Sequence, residues 1–266
     1  MKNEIFHIDE AGYNEIPALR STLLKEFMKS PAHYRFMKDN PNAGSDKAYF
    51  ILGSFVHSLI LEPDTVPQKY LKAPVKSRNA TAYKEMIPMA KASGRDILLA
   101  PEWEAGKDMA NAALADPVFG NMVSKCEPEL SATAKINDIW VKVRLDMYIP
   151  EEGLIVDVKT TSESIKFFPY NLRKYGYEIS AALYWDAFTK AGEKPKGFMF
   201  AVIEKFPPYG IKLFTMSAEY IEEGRAKYLQ ALAEYKDCLT NNNWPCYNNA
   251  TPDVLYPPEG KGSKYV

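Results

Sequence analysis

The sequence predicts a mixed α/β fold: a central mixed β-sheet flanked by helices, with a helical N-terminal part. Three observations lead there. Helix-forming stretches punctuated by prolines fill most of the first 125 residues. From residue 129 onward, β-branched and aromatic residues alternate with polar ones along successive short segments. The remaining order is helix, two strands, helix, which packs as an α/β sandwich around one sheet.

Taken in order, 21–28 is a short amphipathic helix stopped by Ser30-Pro31, because the residue before a proline is driven out of the α region. Residues 47–61 form a second helix, ended by Glu62-Pro63. Segment 67–79, with Lys69, Lys72, Lys76 and Arg78, reads as a loop. Helices follow at 80–93 and 101–115, the latter with proline in its favourable first turn. Strands at 129–136 and 139–149 are joined by Asn137-Asp138, a pair that tolerates the positive φ of a tight hairpin. Gly153 opens a third strand, 154–160, completing a meander. A helix at 177–190, strands at 197–205 and 211–216, and a long helix at 218–239 complete the pattern. The sequence therefore divides into a mainly helical part (1–125), a sheet core (126–240) and an irregular, Asn/Pro/Gly-rich tail (241–266), all expected within one domain.

Composition narrows the function. With 33 Lys and Arg against 34 Asp and Glu, net charge is −1, so no whole-molecule basic field announces a nucleic-acid partner. Any such binding must come from local patches. The three cysteines, Cys126, Cys238 and Cys246, form neither a CxxC pair nor a disulfide framework, and their odd number fits a reducing compartment. The N-terminus has no signal-peptide apolar region and no run approaches a membrane span, so a cytoplasmic protein without membrane partners is expected.

The chemically informative segments are Val141-Lys-Val-Arg-Leu-Asp146-Met-Tyr148 and Leu154-Ile-Val-Asp157-Val-Lys159-Thr-Thr161. Period-two alternation puts Val141, Val143, Leu145 and Met147 on one face of the first strand, with Trp140, Lys142, Arg144, Asp146 and Tyr148 on the other. On the second strand Asp157 and Lys159 point together. A hairpin through 150–153 brings Asp146 beside Asp157, so that two carboxylates and a lysine converge. Paired carboxylates repel, and a divalent cation relieves the repulsion. Hard oxygen donors favour Mg2+, with Mn2+ as substitute, and the Val158 carbonyl is a further donor. Lys159 beside the ion suits either orienting the attacking water or stabilising charge developing on phosphorus. A solvated D-x-K strand face is the bland alternative. Against it stands His57, one helical turn after Gly53: the small residue leaves room for close approach to a sheet, and imidazole is a competent manganese ligand.

Gly53-x-x-x-His57, the Leu-Asp146 strand, Ile155-Val-Asp157-Val-Lys159-Thr-Thr161 and the following tyrosine-bearing helix, in this order, resemble the RecB-type nucleases of the PD-(D/E)XK superfamily. Within it, Ser30-Pro-Ala-His-Tyr34, Gly53-Ser-Phe-Val-His57-Ser-Leu-Ile-Leu-Glu-Pro63 and Asp157-Val-Lys-Thr-Thr161 resemble the RecE, or exonuclease VIII, family. The resemblance implies that His57, Asp146, Asp157 and the Val158 carbonyl bind metal and that Lys159 is catalytic. It also implies a supporting place for Glu129, whose alternative is an ordinary surface glutamate. Tyr184 has Ser180 where such enzymes often carry glutamine, which leaves it between a supporting role and the core. Iron–sulfur relatives need four suitably placed cysteines, so no cluster is expected here.

Lys142 and Arg144, sharing the face of Asp146, are expected either to contact the DNA backbone or to pair with nearby carboxylates. Lys166, Arg173 and Lys174, interleaved with aromatic residues in a loop after the Lys159 strand, are further expected DNA contacts. The resemblance implies a metal-dependent exodeoxyribonuclease on linear duplex DNA. It would work 5′ to 3′ as a ring-shaped homo-oligomer and leave 3′ tails for a single-strand annealing protein in phage or prophage recombination. An endonuclease on the same fold and a non-catalytic DNA-end-binding module are the alternatives.

Overall fold

A computed structural model of the chain describes residues 1–40, 43 and 47–247. The short strand β1 (Glu4–Phe6) is followed by α1 (Glu10–Glu15), whose N-terminus is capped by Asp9 accepting from the Gly12 N–H at 2.8 Å. Ser30 separates α2 (Ser21–Lys29) from α3 (Pro31–Asp39): its extended backbone ends one helix and its hydroxyl accepts from His33 N–H at the start of the next. Helix α4 (Lys47–Leu61) ends where the sequence predicts, before Pro63. Segment 67–79 departs from its reading as a loop. It contains α5 (Val66–Lys69) and strand β2 (Tyr70–Ala73). After α6 (Thr81–Ser93), closed by the left-handed Gly94, strand β3 (Asp96–Leu99) pairs with β2 in a two-stranded parallel sheet. Their apolar positions, Leu71, Ala73 and Ile97, bury against Ala90 and Tyr83, contacts that four-residue strands among charged neighbours do not announce.

Helices α7 (Ala100–Ala115) and α8 (Pro117–Lys125) meet at Asp116, whose carboxylate caps the second helix. Strands β4 (Glu127–Ile136), β5 (Ile139–Ile149) and β6 (Leu154–Thr161) form the expected antiparallel meander, with Asn137 and Asp138 at positive φ in the first hairpin. The stretch between the Lys159 strand and the next long helix is not a loop: α9 (Phe168–Lys174) occupies it, and Gly176, at φ +60, turns the chain into α10 (Tyr177–Lys190). Strand β7 (Gly197–Glu204) runs parallel to β6, and β8 (Ile211–Thr215) returns antiparallel. Helix α11 (Ala218–Asn241) follows. Most of the segment expected as an irregular tail, 248–266, lies outside the described residues.

The main sheet is mixed, in the order β1-β4-β5-β6-β7-β8. Each face carries a core. On one, Leu130, Val141, Val143, Leu145, Phe198 and Phe200 pack with Leu183 and Phe188 of α10 and with Leu24 and Phe27 of α2. On the other, Met147, Val156, Val158, Ala201 and Ile203 pack with Val56 and Ile60 of α4 and Met109 of α7. Helices α10 and α11 cross closely because Gly224 has no side chain; a Cβ there would collide with the Glu178 carbonyl. Arg225, donating to both oxygens of Asp186 at 2.7 Å, ties the same pair.

Two features of β5 position the site. First, strict alternation fails: Leu145 faces one core and Met147 the other, so Met147 does not share a face with Val141, Val143 and Leu145. The reversal falls at Asp146, opposite Glu129 of β4, which sits at φ +53. Second, β5 stays paired with β6 only through Met147, Tyr148 and Ile149, and then diverges. Further along, Leu19 takes the freed edge of β5, bridging Val141 with hydrogen bonds to Trp140 and Lys142. The fork between β5 and β6 thus opens beside Asp146. No helix among the described residues is long and apolar enough to cross a membrane.

Candidate active site

At the fork, backbone pairing gives way to side chains. The Val158 N–H, which would otherwise face β5, donates to Asp146 Oδ2 at 2.6 Å. Helix α4 brings His57 to the same place. Its approach depends on Gly53, where a Cβ would lie 3.0 Å from Thr160 Oγ1 of β6, so the small residue does allow the helix onto the strand. His57 Nδ1 stands 3.8 Å from Asp146 Oδ2. Glu129 completes the group: His57, Glu129 and Asp146 each offer a donor atom within 4.8 Å of the others. Their side chains are 23%, 20% and 18% exposed, buried enough for charge to matter and open enough for an ion to enter.

The electrostatics show a charge imbalance. Glu129 is pushed up to about 8, first by burial and then by the Asp146 carboxylate, against the pull of Arg144. That pull is direct, since Arg144 Nε lies 2.6 Å from Glu129 Oε2. Asp157, 6% exposed, is also raised by burial, its Lys159 partner acting in the opposite direction. Burial opposes the charge on Lys159, but the Asp157 and Asp146 carboxylates outweigh it and hold the ammonium protonated. Lys159 pairs closely with Asp157, and its Nζ is 3.5 Å from the Val158 carbonyl oxygen.

The donor set, two carboxylates and an imidazole with a main-chain carbonyl nearby, fits a hard divalent cation, and the Asp146 repulsion that adds to burial in raising Glu129 is one such an ion relieves. The three-donor cluster contains Glu129, anticipated only as a supporting residue. It does not contain Asp157, whose carboxylate is turned to Lys159.

The other anticipated residues separate. Tyr184 is neither free in the cleft nor merely core: its hydroxyl lies 3.4 Å from Ser21 Oγ, and the charges of Asp157 and Lys159 reach it. Lys142 is a correction. Its residue is 5% exposed and its ammonium donates to the carbonyls of Tyr13, Asn14 and Ile16 at 2.8, 3.1 and 2.9 Å. All three donors hold the end of α1, leaving none for a phosphate. Arg144 is engaged with Glu129 and approaches Glu62 Oε1 at 3.9 Å, so it neutralises the acidic cluster from within the cleft. Arg173 and Lys174 line the same cleft, Arg173 paired with Glu223 at 3.0 Å; Lys166 does not line it.

The cleft has a volume of about 1290 Å³ and is lined by nine lysines and arginines against five glutamates, in a chain whose net charge is −1. With Asp146 and Asp157 beside it, the lining keeps a modest cationic excess. Sequence reasoning missed Lys25, Tyr13 and Tyr177 in this lining. Tyr13 and Lys25 lie on helices more than a hundred residues before the Asp146 and Lys159 strands, and nothing in their local pattern marks them, whereas Tyr177 directly follows the basic, aromatic-rich segment after the Lys159 strand.

Comparison with known proteins agrees with this architecture. The structure superposes on a Eubacterium rectale protein described as a "Putative exonuclease" with a TM-score of 0.67 and 17% identity, over 96% of this chain and 97% of that one. A phage-related exonuclease from Haemophilus somnus 129PT aligns with a TM-score of 0.37 and 12% identity over 85% of this chain and 96% of its own. No curated protein matches in sequence. The profile of the PDDEXK-like domain of unknown function DUF3799 matches residues 21–251, and the chain belongs to that family.

Proposed function

We propose that the chain is a divalent-metal-dependent exodeoxyribonuclease that degrades linear duplex DNA from its ends. The reading includes 5′ to 3′ polarity, 3′ tails passed to a single-strand annealing protein during phage or prophage recombination, a ring-shaped homo-oligomer, and a place in the cytoplasm of a bacterial or phage-infected cell. The observation that carries the nuclease reading is the convergence of His57, Glu129 and Asp146 within 4.8 Å, beside the Asp157 and Lys159 pair, in a cationic cleft.

His57, Glu129 and Asp146 would hold the ion, with Asp157 and the Val158 carbonyl on its β6 side. Bound Mg2+, or Mn2+ in its place, supplies Lewis-acid polarisation of the scissile phosphate and acidifies water. Asp146, fixed by the Val158 N–H, and His57, fixed by α4, set the place of the reacting phosphate. Asp157 orients Lys159, whose ammonium stabilises the negative charge that grows on the phosphate oxygens as water attacks. Arg144 keeps Glu129 directed into the cluster.

The test is a linear duplex labelled at one 5′ or one 3′ end, incubated with magnesium or EDTA alongside a covalently closed circle. Magnesium-dependent shortening of the linear molecule from its 5′ ends, with the circle intact, is expected. A cut circle replaces the exonuclease with an endonuclease. Binding of ends without cleavage under any divalent cation makes the chain an end-binding module.

A further inference from the structure

Lys25 enters the cleft from α2, the helix that also carries Ser21, the partner of Tyr184. Its stem lies over Gly176, where a Cβ would sit 3.2 Å from Lys25 Cδ, so the glycine both turns the chain into α10 and leaves the slot the lysine fills. The ammonium donates to the Tyr175 carbonyl at 3.2 Å and, among the described residues, has no carboxylate at ion-pair distance. It stands 5.8 Å from the centroid of the Tyr177 ring, and Lys159 Nζ stands 5.5 Å from the same centroid. Burial, and after it the charge of Lys159, push Lys25 down to about 8, while the charges of Asp157, Glu178 and Glu26 act in the other direction.

Two ammonium groups thus gather at one aromatic ring, and only Lys159 has a carboxylate partner. Lys25 is half-buried, and a partly desolvated cation without a carboxylate at ion-pair distance gains from an anionic ligand. A lysine on a flexible stem serves as a point-charge phosphate binder. Lys25, Tyr175, Tyr177 and Lys159 all line the cleft. We propose that Lys25, backed by Tyr177, is a second phosphate subsite, gripping the phosphodiester next to the scissile one on the strand being cut. Because both ammonium groups stand at one tyrosine ring, the two phosphates they would hold are assigned to consecutive positions of one strand. The inference rests on the DNA-cleaving reading of the site.

The test measures binding apart from cleavage. A fluorescein-labelled linear duplex is titrated with the protein in EDTA at several sodium chloride concentrations, and anisotropy gives affinity. Lys25→Met keeps the stem over Gly176 and removes the charge; Lys25→Gln is a second neutral variant, and Lys25→Arg retains the charge. The neutral variants are expected to bind on the order of tenfold more weakly. The slope of log affinity against log salt should fall by about one in them and stay unchanged in Lys25→Arg. A merely structural role for Lys25, propping Tyr175, leaves that slope alone. A wild-type slope in either folded neutral variant overturns the subsite while wild-type binding and cleavage leave the nuclease reading standing. A wild-type protein that neither binds nor cuts DNA overturns both.

Discussion

Glu129→Gln tests whether the acidic cluster is held together against its own repulsion. The Glu129 carboxyl rises from 4.5 to about 8, burial being the larger cause and Asp146 the second. Between those values the folded chain retains a proton that the unfolded chain has released, so stability falls as pH rises. The contribution is full below about pH 4.5 and is lost as pH passes about 8. At about 1.36 kcal/mol per pKa unit the full shift corresponds to roughly 4–5 kcal/mol. Glu129 is 20% exposed and Arg144 stays against it, so about half of that, ~2 kcal/mol, is the working magnitude. For a chain of this size that is about 4–8 °C in Tm. Glutamine cannot ionise, and the titration of Asp157 is common to both proteins and cancels in the comparison. Thermal unfolding in EDTA from pH 4.5 to 8.5 should therefore show wild type losing about 4–8 °C more than Glu129→Gln. Because a metal needs the carboxylate deprotonated, magnesium should raise the wild-type Tm more at pH 8 than at pH 6, and raise that of the variant little. Parallel pH profiles in EDTA, or equal stabilisation of both proteins by magnesium, would refute the reasoning.

Three other substitutions separate the roles assigned above. Lys159→Met should lower the single-turnover cleavage rate by at least about a hundredfold while leaving the magnesium-induced rise in Tm in place, since it removes charge stabilisation and no ligand; loss of both would make Lys159 structural. His57→Ala should weaken manganese binding, read by calorimetric titration, by at least about the ten- to hundredfold that loss of an outer-sphere partner costs. Wild-type affinity would return His57 to the packing of α4. Lys142→Met should cost on the order of 3 kcal/mol in urea unfolding, because three carbonyls at the end of α1 lose a charged donor. The salt dependence of its DNA affinity should match wild type; a shallower slope would restore Lys142 as a phosphate contact.

The parts of the fold that were legible in the sequence are those where local signals agree with packing. The meander from Glu127 to Thr161 announces itself through alternation and an Asn-Asp turn, and α4 through its apolar run and the proline that follows. The Gly53 and His57 spacing likewise predicted a close approach, which the contact with Thr160 provides. What was not legible depends on partners distant in the chain. Strands β2 and β3 exist because they pair across 26 residues, and neither four-residue segment shows a period. Lys142 reads as a phosphate contact or carboxylate partner on the Asp146 face because nothing near it reveals that the turn after α1 ends on its ammonium. Asp157 stands outside the three-donor cluster with its carboxylate turned to Lys159, while Glu129 brings a donor from β4 that the β5 and β6 hairpin alone does not reveal.

The reversal at Asp146 explains why the sequence pattern is least informative beside the three-donor cluster. Alternation predicts side-chain direction only while a strand is paired and evenly pleated. At the fork β5 has left β6, Glu129 opposite holds a positive φ, and Leu145 and Met147 turn to different cores. The same departure frees a backbone N–H, that of Val158, and the Asp146 carboxylate satisfies it. It also removes β6 from one side of β5 between Val141 and Met147, the space into which Arg144, Glu129 and His57 converge. A continuous ladder there would have buried both carboxylates without access or pushed them to opposite faces. The sheet opens, and one opening accounts for the exposed donors, the broken pattern and the cleft that admits a substrate.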